Sequence, residues 1–180
     1  MTFVAMTVAT GLLSASAIAA GKHGHGHGKG QAHAADIGKP GTSERATRTI
    51  EITMYDNYFE PEAMTLKEGE TVRFIVVNKG EFVHEFNIAT RAMHIAHGPE
   101  MEKMVEHGVL EPDRINWDAA KKMQRTMSHG MHDEPNSLLL EPGKSGELVW
   151  TFSAHAELQF ACNVPGHYGA GMHGEIKLTH

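Results

Sequence analysis

Short segments in which apolar and polar residues alternate make up most of the chain from residue 48 onward. In chain order they are RTIEITMYD, TVRFIVVN, FVHEFNI, ELVWTF, LQFAC and GEIKLT. Alternation with a period of two, or a run of β-branched and aromatic residues, is typical of β-strands. Turn-forming stretches such as KEGE, NKGE and EPGKSGE separate them. This pattern predicts an all-β fold, a small sandwich or barrel, over residues 48–180.

A segment of different character, about residues 91–135, interrupts these strands. Its stretches HGPEMEKMVEHG and INWDAAKKMQRTMSHGMH have helical patterning. Pro99 suits a first helical turn, Asn116 or Asp118 suits an N-cap, and glycines suit the helix ends. Structureless loops of this length are uncommon in compact domains. The segment therefore predicts two short helices set on one end of the sandwich.

The first 47 residues contain no pattern that builds a core. Residues 1–20 are uncharged and apolar and end in small residues, which predicts a signal peptide that is removed on export. A membrane anchor is the alternative, which the Ala, Ser and Thr content and the lack of flanking basic residues disfavour. Residues 21–47 are rich in Gly and His and predict a flexible His-rich tail. We expect a periplasmic protein with no membrane span after processing.

The composition narrows the classes of function. The chain of 180 residues has 14 His, 11 Met and one Cys, and its formal net charge is −6. Because Lys and Arg are scattered singly, this charge argues against nucleic acid or an anionic membrane as a partner. The sequence has no Ser-centred elbow, HExxH motif or phosphate-binding glycine loop, so hydrolytic chemistry finds no support.

The single cysteine, Cys162, poses a chemical problem in an exported protein. Extracytoplasmic compartments oxidise thiols, so a lone cysteine there is usually paired with another chain, reactive, or bound to something else. Alternation along LQFAC places Cys162 on the inward face at the end of its strand. His167 and Met172 follow in one turn, at intervals of five residues. A metal ion held by this loop is the best candidate for what binds the thiol.

His84 is the expected fourth ligand. Alternation in EFVHEFNI places it on the same face as Phe82, Phe86 and Ile88, where an unpaired imidazole is costly. Taken singly, the four residues also suit a core histidine, a loop histidine, an apolar methionine and a small buried cysteine. Two imidazoles, one thiolate and a weak axial thioether form the ligand set of blue-copper sites. The predicted type 1 copper ligands are His84, Cys162, His167 and Met172.

Two segments that cover about half of the chain resemble the shared segments of cupredoxins. They are YFEPEAMTLKEGETVRFIVVNKGEFVHEFNI and LQFACNVPGHYGAGMHGEIKL. The resemblance implies a Greek-key β-sandwich, a type 1 copper at one end, and one-electron transfer through the exposed edge of His167. The long Met/His insertion and the His-rich tail are unlike plastocyanin or azurin. They are similar to periplasmic cupredoxins of the CopI copper-tolerance type.

The insertion is itself rich in metal-ligating side chains. Thioethers select Cu(I) and imidazoles suit either copper state, so we predict a cuprous site here. The alternative is that the methionines only pack the helices onto the sandwich. The candidate ligands, near the ends of the insertion or on its second helix, are Met93, His94, His97, Met123, Met127, Met131 and His132.

The tail offers a further copper site that depends on where the signal peptide is cleaved. Cleavage after Ala20 produces the N-terminus Gly21-Lys22-His23, whose amine, amides and imidazole suit square-planar Cu(II). Cleavage after Ala19 removes this chelate. The alternative is a solvated linker whose histidines bind Zn²⁺, Ni²⁺ or Cu²⁺ loosely. The candidate ligands in the tail are His23, His25 and His27.

Three functions remain open on the sequence. The first is copper tolerance, in which the tail and insertion bind excess copper and the type 1 centre takes an electron from Cu(I), a cuprous oxidase-like activity. The second is electron transfer with a redox partner, such as a cytochrome or a multicopper enzyme. The third is a copper store or chaperone. A simple carrier needs no extra soft ligands and a plain store needs no thiolate centre, so the first is favoured.

Overall fold

The computed structural model describes residues 36–126 and 134–180, which all belong to one compact unit, Ala34–His180. The predicted signal peptide and most of the predicted tail lie outside the described residues. No helix within the two described ranges is long and apolar enough to cross a bilayer. The strands are β1 Lys39–Pro40, β2 Arg48–Tyr55, β3 Tyr58–Glu60, β4 Ala63–Lys67, β5 Thr71–Asn78, β6 His84–Ala89, β7 Ser137–Leu140, β8 Ser145–Thr151, β9 Leu158–Ala161 and β10 His173–Thr179. The helices are α1 Arg91–Glu106 and α2 Trp117–Thr126, and Ser43–Arg45 form one 3₁₀ turn.

Two five-stranded sheets form a sandwich. The strand order is β1-β8-β5-β2-β3 in one sheet and β4-β10-β9-β6-β7 in the other. Strand β2 pairs in parallel with β5, and β4 in parallel with β10, whereas the remaining pairs are antiparallel. The predicted β-sandwich with a short helical insertion is therefore confirmed.

Aromatic side chains fill the space between the sheets. Phe59 packs edge-on against Phe160 with ring centroids 5.1 Å apart, and Phe74 lies 5.4 Å from Phe86. All four rings are at most 2% exposed. Alternation along each strand supplies these inward-facing residues, since successive side chains point to opposite faces of a sheet.

The folded unit begins before the predicted boundary at residue 48. Ile37 is buried in the main core, and its carbonyl accepts a hydrogen bond of 2.9 Å from Nε1 of Trp150. The short strand β1 then pairs with β8. Residues just after the Gly- and His-rich stretch thus close one edge of the first sheet, which their irregular pattern did not indicate.

Strand β6 is buried on both faces, because the insertion covers its outer side. His84, Phe86 and Ile88 face the main core, while Glu85 and Asn87 on the opposite face are also nearly inaccessible. The insertion forms a second, smaller core. Its buried apolar residues are Val83, Met101, Met104, Val109, Leu110, Ile115, Ala120 and Met123.

The two predicted helices are present, but α1 is longer than the sequence pattern indicated. It begins at Arg91, and the Thr90 side chain caps it by accepting the backbone N–H of Met93 at 3.3 Å. Pro99 therefore lies inside the helix instead of in its first turn. Helix α2 starts as predicted, because Oδ1 of Asn116 accepts the backbone N–H of Ala119 at 3.0 Å.

Replacing Thr90 with alanine tests how firmly α1 is anchored. The loss of the cap should lower the free energy of unfolding by about 1 kcal/mol, measured by chemical denaturation. Thr42→Ala is the matched control, since Thr42 occupies the N-cap of the 3₁₀ turn but makes no side-chain capping bond. Equal losses in the two variants would show that the Thr90 cap contributes nothing specific.

Candidate metal centre

Three of the predicted ligands converge at one end of the sandwich. Strand β6 begins at His84, and β9 ends one residue before Cys162. The antiparallel register of β6 and β9 brings these two strand ends side by side. Nδ1 of His84 lies 3.8 Å and Nδ1 of His167 3.3 Å from Cys162 Sγ. One donor atom from each of the three residues lies within 4.8 Å of the other two.

The turn between β9 and β10 carries His167 over the sulfur and returns to Met172. The backbone N–H of His167 donates to the carbonyl of Val164 at 2.9 Å, and that of Met172 donates to the carbonyl of His167 at 3.0 Å. The Cys162 N–H closes the loop by donating to the Met172 carbonyl at 3.1 Å. Met172 is fully buried in the main core cluster. These hydrogen bonds place the backbone of Met172, the fourth predicted ligand, next to the backbone of Cys162.

The protonation states of these groups suit a bound cation. Burial raises the pKa of the Cys162 thiol to about 12, so the sulfur is a protonated thiol at neutral pH unless a cation replaces the proton. Burial lowers the pKa of both His84 and His167, which keeps the imidazoles neutral with a free lone pair. Two neutral imidazoles and one thiol that a metal can deprotonate fit a copper ion.

Asp56 sets the orientation of the His84 ring. Its Oδ1 lies 2.9 Å from His84 Nε2. Because a carboxylate only accepts, Nε2 carries the hydrogen and Nδ1 is left with its lone pair toward Cys162. Gly80 allows this approach, since a Cβ there would lie 2.8 Å from His84 Nε2 and collide with Asp56. The sequence analysis missed Asp56, which lies in a turn far from the ligands in sequence.

Glu85 is a second residue that the sequence analysis missed. Its backbone N–H donates to Cys162 Sγ at 3.3 Å. Its carboxylate, which is fully buried, accepts the Asn163 N–H at 3.0 Å and the Ser137 hydroxyl at 2.7 Å. Glu85 therefore contacts both Cys162, through its backbone N–H, and Asn163, through its carboxylate. An acidic residue in an alternating strand normally indicates a position that faces solvent. Glu85 is buried because the insertion covers that face of β6.

His94 joins the insertion to the ligand loop. It is 1% exposed, and its Nδ1 lies 3.0 Å from Oδ1 of Asn163. The Asn163 amide donates in turn to the His94 carbonyl at 3.1 Å. The His94 ring also packs on Tyr168, with centroids 5.7 Å apart. Helix α1 thus contacts the residues that directly follow Cys162 and His167.

His97 provides the positive charge that faces Glu85. Its Nε2 lies 3.4 Å from Glu85, and its Nδ1 lies 3.5 Å from Glu100 and 3.7 Å from Glu134. Burial lowers the pKa of His97, but the hydrogen bond and charge of Glu85, with the other two carboxylates, outweigh it and raise the pKa to about 9. His97 is therefore an imidazolium at neutral pH.

The remaining predicted copper ligands are spread over the insertion and the tail. Met93 packs against the main core, and Met123 lies in the second core with Met101 and Met104. Their role as cuprous ligands, like that of His94 and His97, stays a prediction. The other candidates lie outside the described residues: Met127, Met131, His132, His23, His25 and His27.

An apolar groove of about 300 Å³ runs beside the half-buried His167 ring. Phe82, expected to face inward, is instead 44% exposed and contacts the His167 ring edge-on, with centroids 6.4 Å apart. The alternation of β6 does not extend back to Phe82, because the strand begins at His84. The groove is lined by Phe82, Val83, Val105, Leu110, Glu111, Pro112, Val164, Pro165 and His167.

Comparisons with known proteins identify the kind of domain. A family model described as a cupredoxin-like domain matches residues 31–102. The copper-resistant cuproprotein CopI of Pseudomonas aeruginosa is 44% identical over 178 residues, covering 93% of this chain and 96% of that protein. The protein of the same name from Rubrivivax gelatinosus is 37% identical over 168 residues, covering 92% and 88%.

Solved structures share the fold. Auracyanin B superposes with a TM-score of 0.56 at 22% identity, covering 80% of this chain and 97% of its own. Auracyanin A, described as a "blue" copper protein from Chloroflexus aurantiacus, gives a TM-score of 0.51 at 19% identity, covering 73% and 98%. At these identities the likeness establishes the sandwich fold alone.

Replacing His97 with glutamine tests its pairing with Glu85. In the folded chain the pKa of His97 is raised from 6.5 to about 9. Its protonation therefore stabilises the folded state fully below pH 6.5, and this stabilisation is lost as the pH rises through 9. The apoprotein should therefore lose about 3 kcal/mol between pH 6.5 and 10. His97→Gln should be less stable at pH 7 and lack most of this decline, measured by denaturation at each pH. An unchanged slope, matching that of the exposed control His107→Gln, would contradict the assignment.

Replacing Asp56 with alanine tests its control of His84. Without the acceptor, the ring loses its fixed tautomer and orientation, so the affinity for Cu(II) should fall by about 10- to 100-fold. A competition titration against a chelator measures this loss. Asp56→Asn keeps an acceptor oxygen without the charge, so its affinity for Cu(II) should lie between those of the wild type and Asp56→Ala. Wild-type affinity in Asp56→Ala would show that the core packing alone orients His84.

Proposed function

Because the chain belongs to the family of CopI copper-resistant cuproproteins, we propose that it binds excess copper in the periplasm and oxidises Cu(I) to Cu(II) through a type 1 centre. Family membership supports copper binding for copper resistance. To this we add the periplasmic location and the oxidation of Cu(I). The observation that carries it is the convergence of the His84, Cys162 and His167 donor atoms within 4.8 Å.

The residues that would hold the resident ion are His84, Cys162 and His167, with the Met172 thioether as a fourth, weaker ligand. A copper ion bound by such a set supplies one-electron exchange. The residues around it keep the set fixed: Asp56 orients His84, and the Glu85 N–H stabilises negative charge on the sulfur. Full burial of Cys162 and His84 excludes water from one side. A rigid, dry donor set needs little rearrangement between two charge states.

The insertion is proposed to bind Cu(I) as substrate. Its methionine thioethers are soft donors that prefer the cuprous ion. The packing of His94 on Asn163 and Tyr168 makes the insertion and the ligand loop one continuous unit. Oxidation of each Cu(I) releases one electron, which a partner protein or another acceptor must finally take up. The half-buried His167 edge in its apolar groove is the proposed exit for that electron.

Electron transfer without copper oxidation is the second candidate function. The same groove favours it, since Phe82 and Val105 expose 44% and 46% of their surface beside His167. An apolar rim around a ligand edge suits a transient redox partner. In that case the insertion only shapes the docking surface, and its methionines bind no copper.

Stepwise anaerobic titration of the full chain separates these functions. The apoprotein is loaded with one Cu(II), the thiolate charge-transfer band is confirmed, and Cu(I) is added while the band is followed. Copper tolerance with cuprous oxidation predicts that Cu(I) bleaches the band. The combined replacement of Met93, Met123, Met127 and Met131 with leucine should slow the bleaching by about tenfold or more, because leucine keeps the volume but removes the soft donor.

Two controls accompany this titration. Cys162→Ala should lack the band, and Met64→Leu, a core methionine outside the insertion, should bleach as the wild type does. A band that persists while Cu(I) binds would make the insertion a store without redox coupling. A chain that binds no Cu(I) in the insertion would leave electron transfer as the better function.

A further inference from the structure

Glu68, His155 and His180 meet at the end of the sandwich opposite to Cys162. Strand β9 has His155 before its start and Cys162 directly after its end, and β10 has Met172 directly before its start and His180 directly after its end. The two strands are antiparallel neighbours, with Ala161 opposite His173 and Leu158 opposite Ile176. The seven residues of β10 span about 20 Å. The cluster is therefore separate from the candidate copper centre.

The three side chains present their donor atoms to one another. Nδ1 of His155 lies 3.2 Å from Glu68 Oε1, and Nδ1 of His180 lies 3.0 Å from Glu68 Oε2. All three donor atoms lie within 4.8 Å of each other. The two imidazole rings are 5.6 Å apart and inclined at 61°. Each oxygen of one carboxylate thus faces a different imidazole.

Glu68 is held in place before any ligand arrives. The backbone N–H of Glu68 donates to the carbonyl of Thr179, the residue before His180, at 2.9 Å. Its Oε1 accepts the backbone N–H of His155 at 3.2 Å. Only 17% of its side chain is exposed, compared with 75% for His155 and 82% for His180. The cluster is an ordered carboxylate between two exposed imidazoles.

We propose that Glu68, His155 and His180 form a second metal site, which takes a divalent late transition-metal ion and prefers Cu(II). Metal–nitrogen and metal–oxygen bonds of about 2.0–2.2 Å place neighbouring donors roughly 3 Å apart, close to the two separations observed here. Two imidazoles and one carboxylate are borderline donors that suit Cu(II), Ni²⁺ and Zn²⁺, and Cu(II) heads the affinity order of these ions. The set contains no sulfur, the soft donor that favours Cu(I).

The surroundings favour a cation. A groove open to solvent runs from Glu68 and His155 along strands β9 and β10 and is lined by Glu157, Glu175 and Lys177, and Arg91 lines the adjoining groove that shares His155. With Glu68, three carboxylates against two cationic side chains leave a negative field at the entrance. The exposed imidazoles give an incoming ion direct access.

The test uses the full, untagged chain with its type 1 site already loaded. Cu(II) is added in substoichiometric steps, and paramagnetic broadening of assigned backbone amides is followed by NMR. The proposal predicts early broadening of the amides around Glu68, His155 and His180. In the double variant His155→Ala/His180→Ala this broadening should disappear, and equilibrium dialysis should count one bound Cu(II) fewer. Glu68→Gln should weaken the site by more than about tenfold.

His107→Ala is the matched control, because His107 is an exposed histidine outside the cluster. It should retain both the broadening and the number of bound ions. No broadening at this end, or an equal copper count in the double variant, overturns the site and leaves Glu68 with two surface ion pairs only. Cys162→Ala abolishes the proposed type 1 band but should leave this broadening intact, so the failure of one proposal is distinguishable from the failure of the other.

Discussion

The buried sulfur of Cys162 imposes the constraint on which the rest of this structure depends. A thiolate without solvent needs a cation and hydrogen-bond donors, since burial, as the largest cause, raises the pKa of the Cys162 thiol to about 12. The Glu85 N–H donates to the sulfur, and the neutral His84 and His167 imidazoles lie where they can bind the same cation as the thiolate. These groups meet only in the register that pairs β6 with β9. A slip of one residue would turn every side chain of β6 to the other face.

The same register explains why the insertion is part of the domain. Placing His84 inward places Glu85 on the opposite face of β6, where its carboxylate holds the Asn163 N–H. That face is then closed by α1, which supplies His97 as the counter-charge and His94 as the partner of Asn163. A buried carboxylate left without such a cation would be strongly destabilising. The loop from Cys162 to Met172 and the insertion are therefore one packed unit, whatever ions the methionines bind.

Sequence reasoning predicted the elements whose signal is local. The alternation that defines the strands, the loop spacing from Cys162 to Met172 and the Asn116 cap all follow from neighbouring residues. Apart from the convergence of His84 on Cys162, which alternation and the cupredoxin resemblance indicated, contacts between distant segments were not predictable in this way. Asp56 reaches His84 across 28 residues, and Ile37 reaches Trp150 across 113. Pro99 lies inside α1 because tertiary packing and the Thr90 cap outweigh its preference for a first turn.

The two ends of β9 and β10 present donor sets of opposite character. At one end, a buried sulfur with two imidazoles forms a rigid and soft set, which suits an ion that changes charge without changing its ligands. At the other end, an ordered carboxylate and two exposed imidazoles form a harder set. Cuprous and cupric ions differ in this same preference for soft and harder donors. A single pair of strands thus holds apart a set suited to electron exchange and a set suited to Cu(II), so the cupric product of the proposed oxidation would not compete for the thiolate.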